Sequence, residues 1–177
     1  MHVGMEIPNV CLKLRVRDAD IDGPNPYRWQ DTFTHSIFKA KQVVMFGLPG
    51  AFTPTCSSAQ LPGFDNYYES FVQYGIDDII CASVNDAFVM HQWAQHQQTI
   101  NVKLLPDGNG ILTRRLGMLV DKSHLGFGLR SWRYAAVVHD GTIAAWFQEP
   151  GINDIGSDDD PYQETRPENV LEWLENR

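Results

Sequence analysis

Cysteine is scarce in this sequence, basic residues are outnumbered, and long apolar runs are absent. Cysteine occurs 3 times in 177 residues, at positions 11, 56 and 81. An odd number at irregular spacing fits neither a disulfide framework nor a zinc site, and the lack of any Cys-x-x-Cys pair removes the usual dithiol signature. Lysine and arginine total 14 against 22 acidic residues, a formal net charge of -8 with a pI of about 5.1. That balance argues against nucleic acid or an anionic membrane as the main partner. No stretch approaches the roughly 20 apolar residues of a membrane span, and the opening MHVGMEIPNV has no basic region followed by an apolar run. A reducing, cytoplasmic setting is the expectation. Gly-x-Gly-x-x-Gly and Walker patterns are missing, which argues against nucleotide use. The six histidines show no ligand spacing; His91 and His96 diverge in direction on one predicted helix. No metal or other cofactor is expected.

What is present suits one globular unit over residues 1–177, with 43% apolar residues to build a core. Its centre is VVMFGLPGAFTPTC, residues 43–56. Val43–Phe46 reads as a sheet-core strand, continuous rather than alternating. Gly47, Pro49 and Gly50 break it and deliver Cys56 to the start of a helix. Unpaired backbone N–H groups and the helix dipole favour an anion there, a setting that activates a thiol. Pro62 limits the first helical piece before a helix over Leu61–Tyr74, with Phe64, Tyr67, Tyr68 and Phe71 on one face.

Elsewhere Val10–Val16 predicts a strand, DGPNP a loop and Thr34–Phe38 a helical turn. Ile76–Val84 is a strand, Asp86 caps a helix to about Gln98, and Asn101–Leu105 is extended. Trp132–His139 and Thr142–Phe147 flank Asp140-Gly141, a two-residue hairpin signal. A helix over Pro167–Leu174 follows a segment, Glu149–Pro161, that reads as a solvated excursion. A parallel half followed by an antiparallel hairpin predicts an α/β fold with a mixed sheet.

Cys56 is the strongest candidate for chemistry, because a lone cysteine that could otherwise be a small buried hydrophobe sits at the carboxyl edge of a sheet. Thr53 can face the sulfur or simply cap the helix. Pro49 and Pro54 stiffen the turn. Arg133, inside the predicted strand WRYAAVV, either reaches solvent or offers its donors to an anion or an oxygen substrate. Arg130 could do similar work from a loop. Cys81 reads as a buried strand residue, and Cys11 is a weak candidate for a second thiol.

Residues 49–56, PGAFTPTC, resemble the active-site segment of the peroxiredoxins, specifically of the Prx5-like (type II, atypical) branch with its PxxxTxxC pattern. The blocks ASVNDAFVM, KLLPDGNG, LGMLVDKS and GFGLRSWRYAAVVHDG extend the similarity, in order, over most of the chain. The resemblance implies a thioredoxin-like fold, a central mixed β-sheet with helices on both faces. It implies a thiol peroxidase that reduces hydrogen peroxide and alkyl hydroperoxides through a cysteine sulfenic acid. Cys56 falls on the peroxidatic cysteine, Thr53 on the family's threonine, Pro49 on its shielding proline and Arg133 on its guanidinium. A homodimer through loops bordering the site, near Phe127, is also implied. Some members carry a resolving cysteine late in the chain; no cysteine follows Cys81 here, which implies regeneration by glutathione with glutaredoxin, or by thioredoxin. Outside the resemblance, a thiol–disulfide oxidoreductase and a non-enzymatic redox sensor are the competing readings.

Overall fold

The computed structural model describes residues 2–156 and 160–177. Strands β1 (Cys11–Arg17) and β2 (Tyr27–Phe33) pair antiparallel, Cys11 facing Phe33. The first agrees with the expected strand, whereas β2 has no counterpart in the sequence reading: Tyr27, Trp29 and Phe33 share one face, but Asp31 interrupts it and Trp29 and Phe33 are exposed. That aromatic face meets a cation from β1 and a ring from the later helix at Phe88. The Arg15 guanidinium lies 5.1 Å from the ring of Tyr27, 5.7 Å from Trp29 and 4.4 Å from Phe88.

A helical turn, α1 (Thr34–Phe38), leads into β3 (Gln42–Gly47). A π-helical turn over Cys56–Gln60 runs into α2 (Leu61–Asn66) and then α3 (Tyr68–Gln73). The single helix expected over Leu61–Tyr74 is therefore broken at Tyr67, which has φ -88° and ψ 8°. Phe64 and Phe71 keep the apolar face, and Tyr67 is left partly exposed. Next come β4 (Asp78–Ser83), α4 (Ala87–Gln97), β5 (Val102–Pro106) and α5 (Ile111–Arg115). Asp86 caps α4, its carboxylate accepting from the Phe88 and Val89 N–H groups at 2.8 and 3.0 Å.

The short strands β6 (Leu119–Asp121) and β7 (Leu129–Ser131) form a separate antiparallel pair around a 3-10 turn. Then β8 (Tyr134–His139) and β9 (Thr142–Gln148) make a hairpin, and α6 (Pro167–Glu175) closes the chain. Asp140 and Gly141 both have positive φ, 46° and 79°, as the tight hairpin turn requires. The strand expected from Trp132 thus starts only at Tyr134. Trp132 and Arg133 lie in a break between two sheets, because the Trp132 N–H donates to Met118 O at 2.7 Å and its indole N–H to Glu149 O at 2.8 Å. The excursion expected over Glu149–Pro161 is corrected at its ends: Glu149 has no exposure, and Asp160 and Pro161 bind Arg133. Asp158 and Asp159 lie outside the described residues.

The main sheet has the order β5-β4-β3-β8-β9, parallel between β5, β4 and β3 and antiparallel between β3, β8 and β9. Helices cover both faces, the expected thioredoxin-like arrangement. Val44, Phe46, Ile79 and Cys81 face α2, α3, α4 and α6, with Phe64, Trp93 and Val170. Val43, Met45 and Ile80 face α1 and α5, with Phe38 and Leu112. Gly47 pairs with Tyr134, which pairs with Gln148, so the end of β3, the start of β8 and the end of β9 share one edge. Among the described residues no helix is long and apolar enough to cross a membrane.

Gly47 has no room for a side chain. A Cβ there would enter the ring of Tyr134, which is fully buried and backed by Trp146 in a stack at 4.8 Å. Gly47→Ala should lower unfolding stability by about 1–3 kcal/mol, the usual cost of overpacking, read as a reduced urea midpoint at unchanged slope.

Candidate active site

The turn after β3 is tight for identifiable reasons. Gly50 lies so close to Arg130 that a Cβ would approach its Nη1 to 2.6 Å. Phe52 takes a positive φ of 63°, uncommon for a bulky residue. The Thr53 hydroxyl donates to Gly50 O at 2.7 Å, and the Ala51 N–H donates to the Asn85 side-chain oxygen at 3.0 Å. Helical backbone begins at Pro54, a position where a missing N–H costs nothing. Cys56 follows in the first turn, with no exposure at all.

The Cys56 sulfur lies 3.6 Å from Nη1 of Arg133. Arg133 is only 1% exposed, yet its donors are distributed with direction. Nη1 also donates to Gln60 Oε1, Nε donates to Pro161 O at 3.0 Å, and Nη2 pairs with the Asp160 carboxylate. Burial pushes the guanidinium pKa down, but the Cys56 sulfur and the Asp160 carboxylate outweigh it and hold it above its ordinary value. A fixed cation therefore faces the sulfur.

A cavity of about 300 Å³ opens over this cluster. Its walls are largely apolar, from Pro49, Pro54, Leu125, Phe127 and Trp132, while Thr53, Arg133 and Asp160 supply polar groups. Cys56 does not itself line the cavity, but Thr53 and Arg133 do. All four residues singled out from the sequence, Pro49, Thr53, Cys56 and Arg133, are brought to this place. Thr53 lines the cavity, with its hydroxyl donating back to Gly50 O. Its proton is committed to Gly50 O, so Oγ1 is left as an acceptor.

Three residues went unrecognised in the sequence. Gln60 has a visible signal, since it lies four residues beyond Cys56 on the same helical side. Its Nε2 is buried without a partner among the described residues. Asp160 and Pro161 have no such signal, since their approach to Arg133 depends on where the loop returns. Arg130 is half-buried, with Nε donating to Phe127 O at 3.1 Å and Nη1 buried without a partner among the described residues. Burial lowers its pKa, and the charge of the nearby Cys56 sulfur opposes that.

The histidines with ring contacts serve packing: His2 stacks on Trp146 at 3.8 Å, and His96 lies 5.7 Å from Phe52. Among the described residues no three metal-binding side chains converge.

Residues 3–164 match the model of the Redoxin family. A peroxiredoxin of Rhizobium etli is 53% identical over 174 residues, spanning 98% of this chain and 97% of the relative. The chain belongs to the peroxiredoxins of the Redoxin family. Two solved structures match this peroxiredoxin along nearly their whole lengths. The Plasmodium falciparum antioxidant protein, a 1-Cys peroxiredoxin, superposes with a TM-score of 0.91 at 36% identity, over 98% of this chain and 99% of that one. Reduced Prx3 of Vibrio vulnificus in complex with H2O2 gives 0.82 at 32% identity, over 98% and 99%.

The other two thiols of this peroxiredoxin differ in setting. Cys11 is partly exposed on β1, whereas Cys81 is sealed inside β4. Burial pushes the Cys81 thiol well up, and the Cys56 sulfur adds to the effect against the opposing charge of Arg133. Iodoacetamide at pH 8 should label Cys11 in the native protein and Cys81 only after unfolding in denaturant. Peptide mass spectrometry showing native labelling of Cys81 would contradict this.

Proposed function

We propose that this peroxiredoxin is a thiol peroxidase of the Prx5-like branch, acting as one domain, with Cys56 as the peroxidatic residue. The observation that carries the reading is the 3.6 Å approach to the Cys56 sulfur of a buried, cationic Arg133 that itself lines a cavity. A guanidinium so placed favours negative charge on sulfur and, in the transition state, on the oxygens of a peroxide.

Hydrogen peroxide or an alkyl hydroperoxide enters the cavity between Pro49 and Phe127. The thiolate attacks the nearer oxygen, the O–O bond breaks, and the departing oxygen takes from solvent a proton equivalent to the one the thiol gave up on ionising, leaving as water or an alcohol. Cysteine sulfenic acid remains. Thr53 Oγ1, its own proton held by Gly50 O, accepts from the peroxide O–H and orients it. Pro49 shields the sulfur from bulk water. The complex of the Vibrio vulnificus relative with H2O2 supports a peroxide as the substrate.

No cysteine follows Cys81 in these residues, so an external thiol condenses with the sulfenic acid and a second exchange restores the enzyme. Glutathione with glutaredoxin, or thioredoxin, supplies that thiol in the cytoplasm. The exposed rim at Phe52 and Phe127 suits a homodimer contact beside the cavity.

Cys56→Ser should abolish peroxide turnover with either reductant system while far-ultraviolet circular dichroism stays unchanged; near-normal turnover would sink the assignment. Arg133→Lys should slow the oxidation of Cys56 by roughly 10- to 1,000-fold, the range seen when one transition-state donor is displaced. A rate equal to that of the unaltered protein would remove Arg133 from the site.

A further inference from the structure

Glu149 lies just past the end of β9 and has no exposure, which is unusual for a carboxylate that pairs with no cation among the described residues. Its Oε1 accepts three hydrogen bonds, from the N–H groups of Gln163 and Thr165 at 2.9 Å each and from the Thr165 hydroxyl at 2.8 Å. Its Oε2 is buried without a partner among the described residues. Its main chain is bonded to the break before β8, the N–H donating to Arg133 O at 3.2 Å and the carbonyl accepting from the Trp132 indole at 2.8 Å. One residue thus ties the backbone that carries Arg133 to the segment 163–165.

The chain just before that segment supplies two of the groups that fix the guanidinium, Pro161 O on Nε and the Asp160 carboxylate on Nη2. With those two edges occupied, the rigid fork has only Nη1 to present to Gln60 and the Cys56 sulfur. We propose that Glu149 is a positioning residue for the peroxidatic site. Its carboxylate clamps residues 163–165, the clamp holds Asp160 and Pro161 against Arg133, and Arg133 is thereby aimed at Cys56. The inference rests on the thiol-peroxidase reading but concerns a residue that touches neither sulfur nor cavity.

The test is the single-turnover rate of sulfenic acid formation at Cys56, with hydrogen peroxide as oxidant and dimedone as trap, in a double-mutant cycle with Arg133→Lys. Glu149→Leu should slow the reaction by about 10- to 100-fold, the scale of a misplacement near 1 Å. Glu149→Gln, which keeps an acceptor oxygen for the same donors, should stay within about 3-fold of the unaltered rate. In the Arg133→Lys background the Glu149→Leu loss should largely vanish, which a general loosening of the fold would not produce. Thr165→Val, removing one of the three bonds, covers the case in which Glu149→Leu does not fold. It should slow oxidation by about 3-fold, and only when Arg133 is intact. Equal losses in both backgrounds, or unchanged rates in Glu149→Leu and Thr165→Val wherever these fold, would overturn the positioning role while leaving the peroxidase reading in place. An unaltered protein that forms no sulfenic acid would overturn both.

Discussion

The structure around the site depends on satisfying one buried guanidinium. A cation taken out of water costs several kcal/mol unless charges and hydrogen bonds replace the lost hydration. Arg133 obtains them from two unconnected parts of the chain: Cys56 and Gln60 on the π-helical turn, and Asp160 and Pro161 on the returning loop. A lysine could not make the same set of contacts, since only a planar fork offers donors in several fixed directions. The same requirement that stabilises the buried charge brings the sulfur and the cation together, so folding and chemistry here share one constraint.

Sheet topology makes that convergence achievable. In open α/β sheets, sites form beyond the carboxyl ends of the strands, where helices begin and backbone donors are unpaired. Here β3 and β4 are parallel, which puts the turn carrying Cys56 and the Asn85 side chain that braces it on the same edge. The antiparallel hairpin then contributes the start of β8 and the end of β9 to that edge, through the pairing of Gly47 with Tyr134 and of Tyr134 with Gln148. Arg133 precedes the first of these by one residue and Glu149 follows the last by one. Gly47 belongs to the same arrangement, because Tyr134 can occupy the edge only where β3 lacks a side chain.

The π-helical turn adds a second local device. Its wider turn keeps Cys56 and Gln60 on one side, so that both address the same guanidinium nitrogen. The tight turn before it, with Thr53 bonded back to Gly50 and Phe52 in the left-handed region, holds the approach to the sulfur narrow. The cavity beyond is mostly apolar, which strengthens the few polar interactions that remain at its floor.

Local sequence by itself determined most of what depends on short-range physics. The apolar run of β3, the cap at Asp86, the Asp140-Gly141 turn and the placement of Cys56 at a helix start all follow from neighbouring residues, and the peroxiredoxin motif rests on the same stretch. What depends on distant partners was decided only in three dimensions. Strand β2 carries an aromatic face, interrupted by Asp31, that only the fold brings against Arg15 and Phe88, and Tyr67 breaks a helix that periodicity reads as continuous. Trp132 and Arg133 leave the strand because their bonds go to Met118, Glu149 and the returning loop. Glu149, Asp160 and Pro161 read as solvated from local composition, and they become part of the site because the chain comes back to a charge that cannot be buried alone.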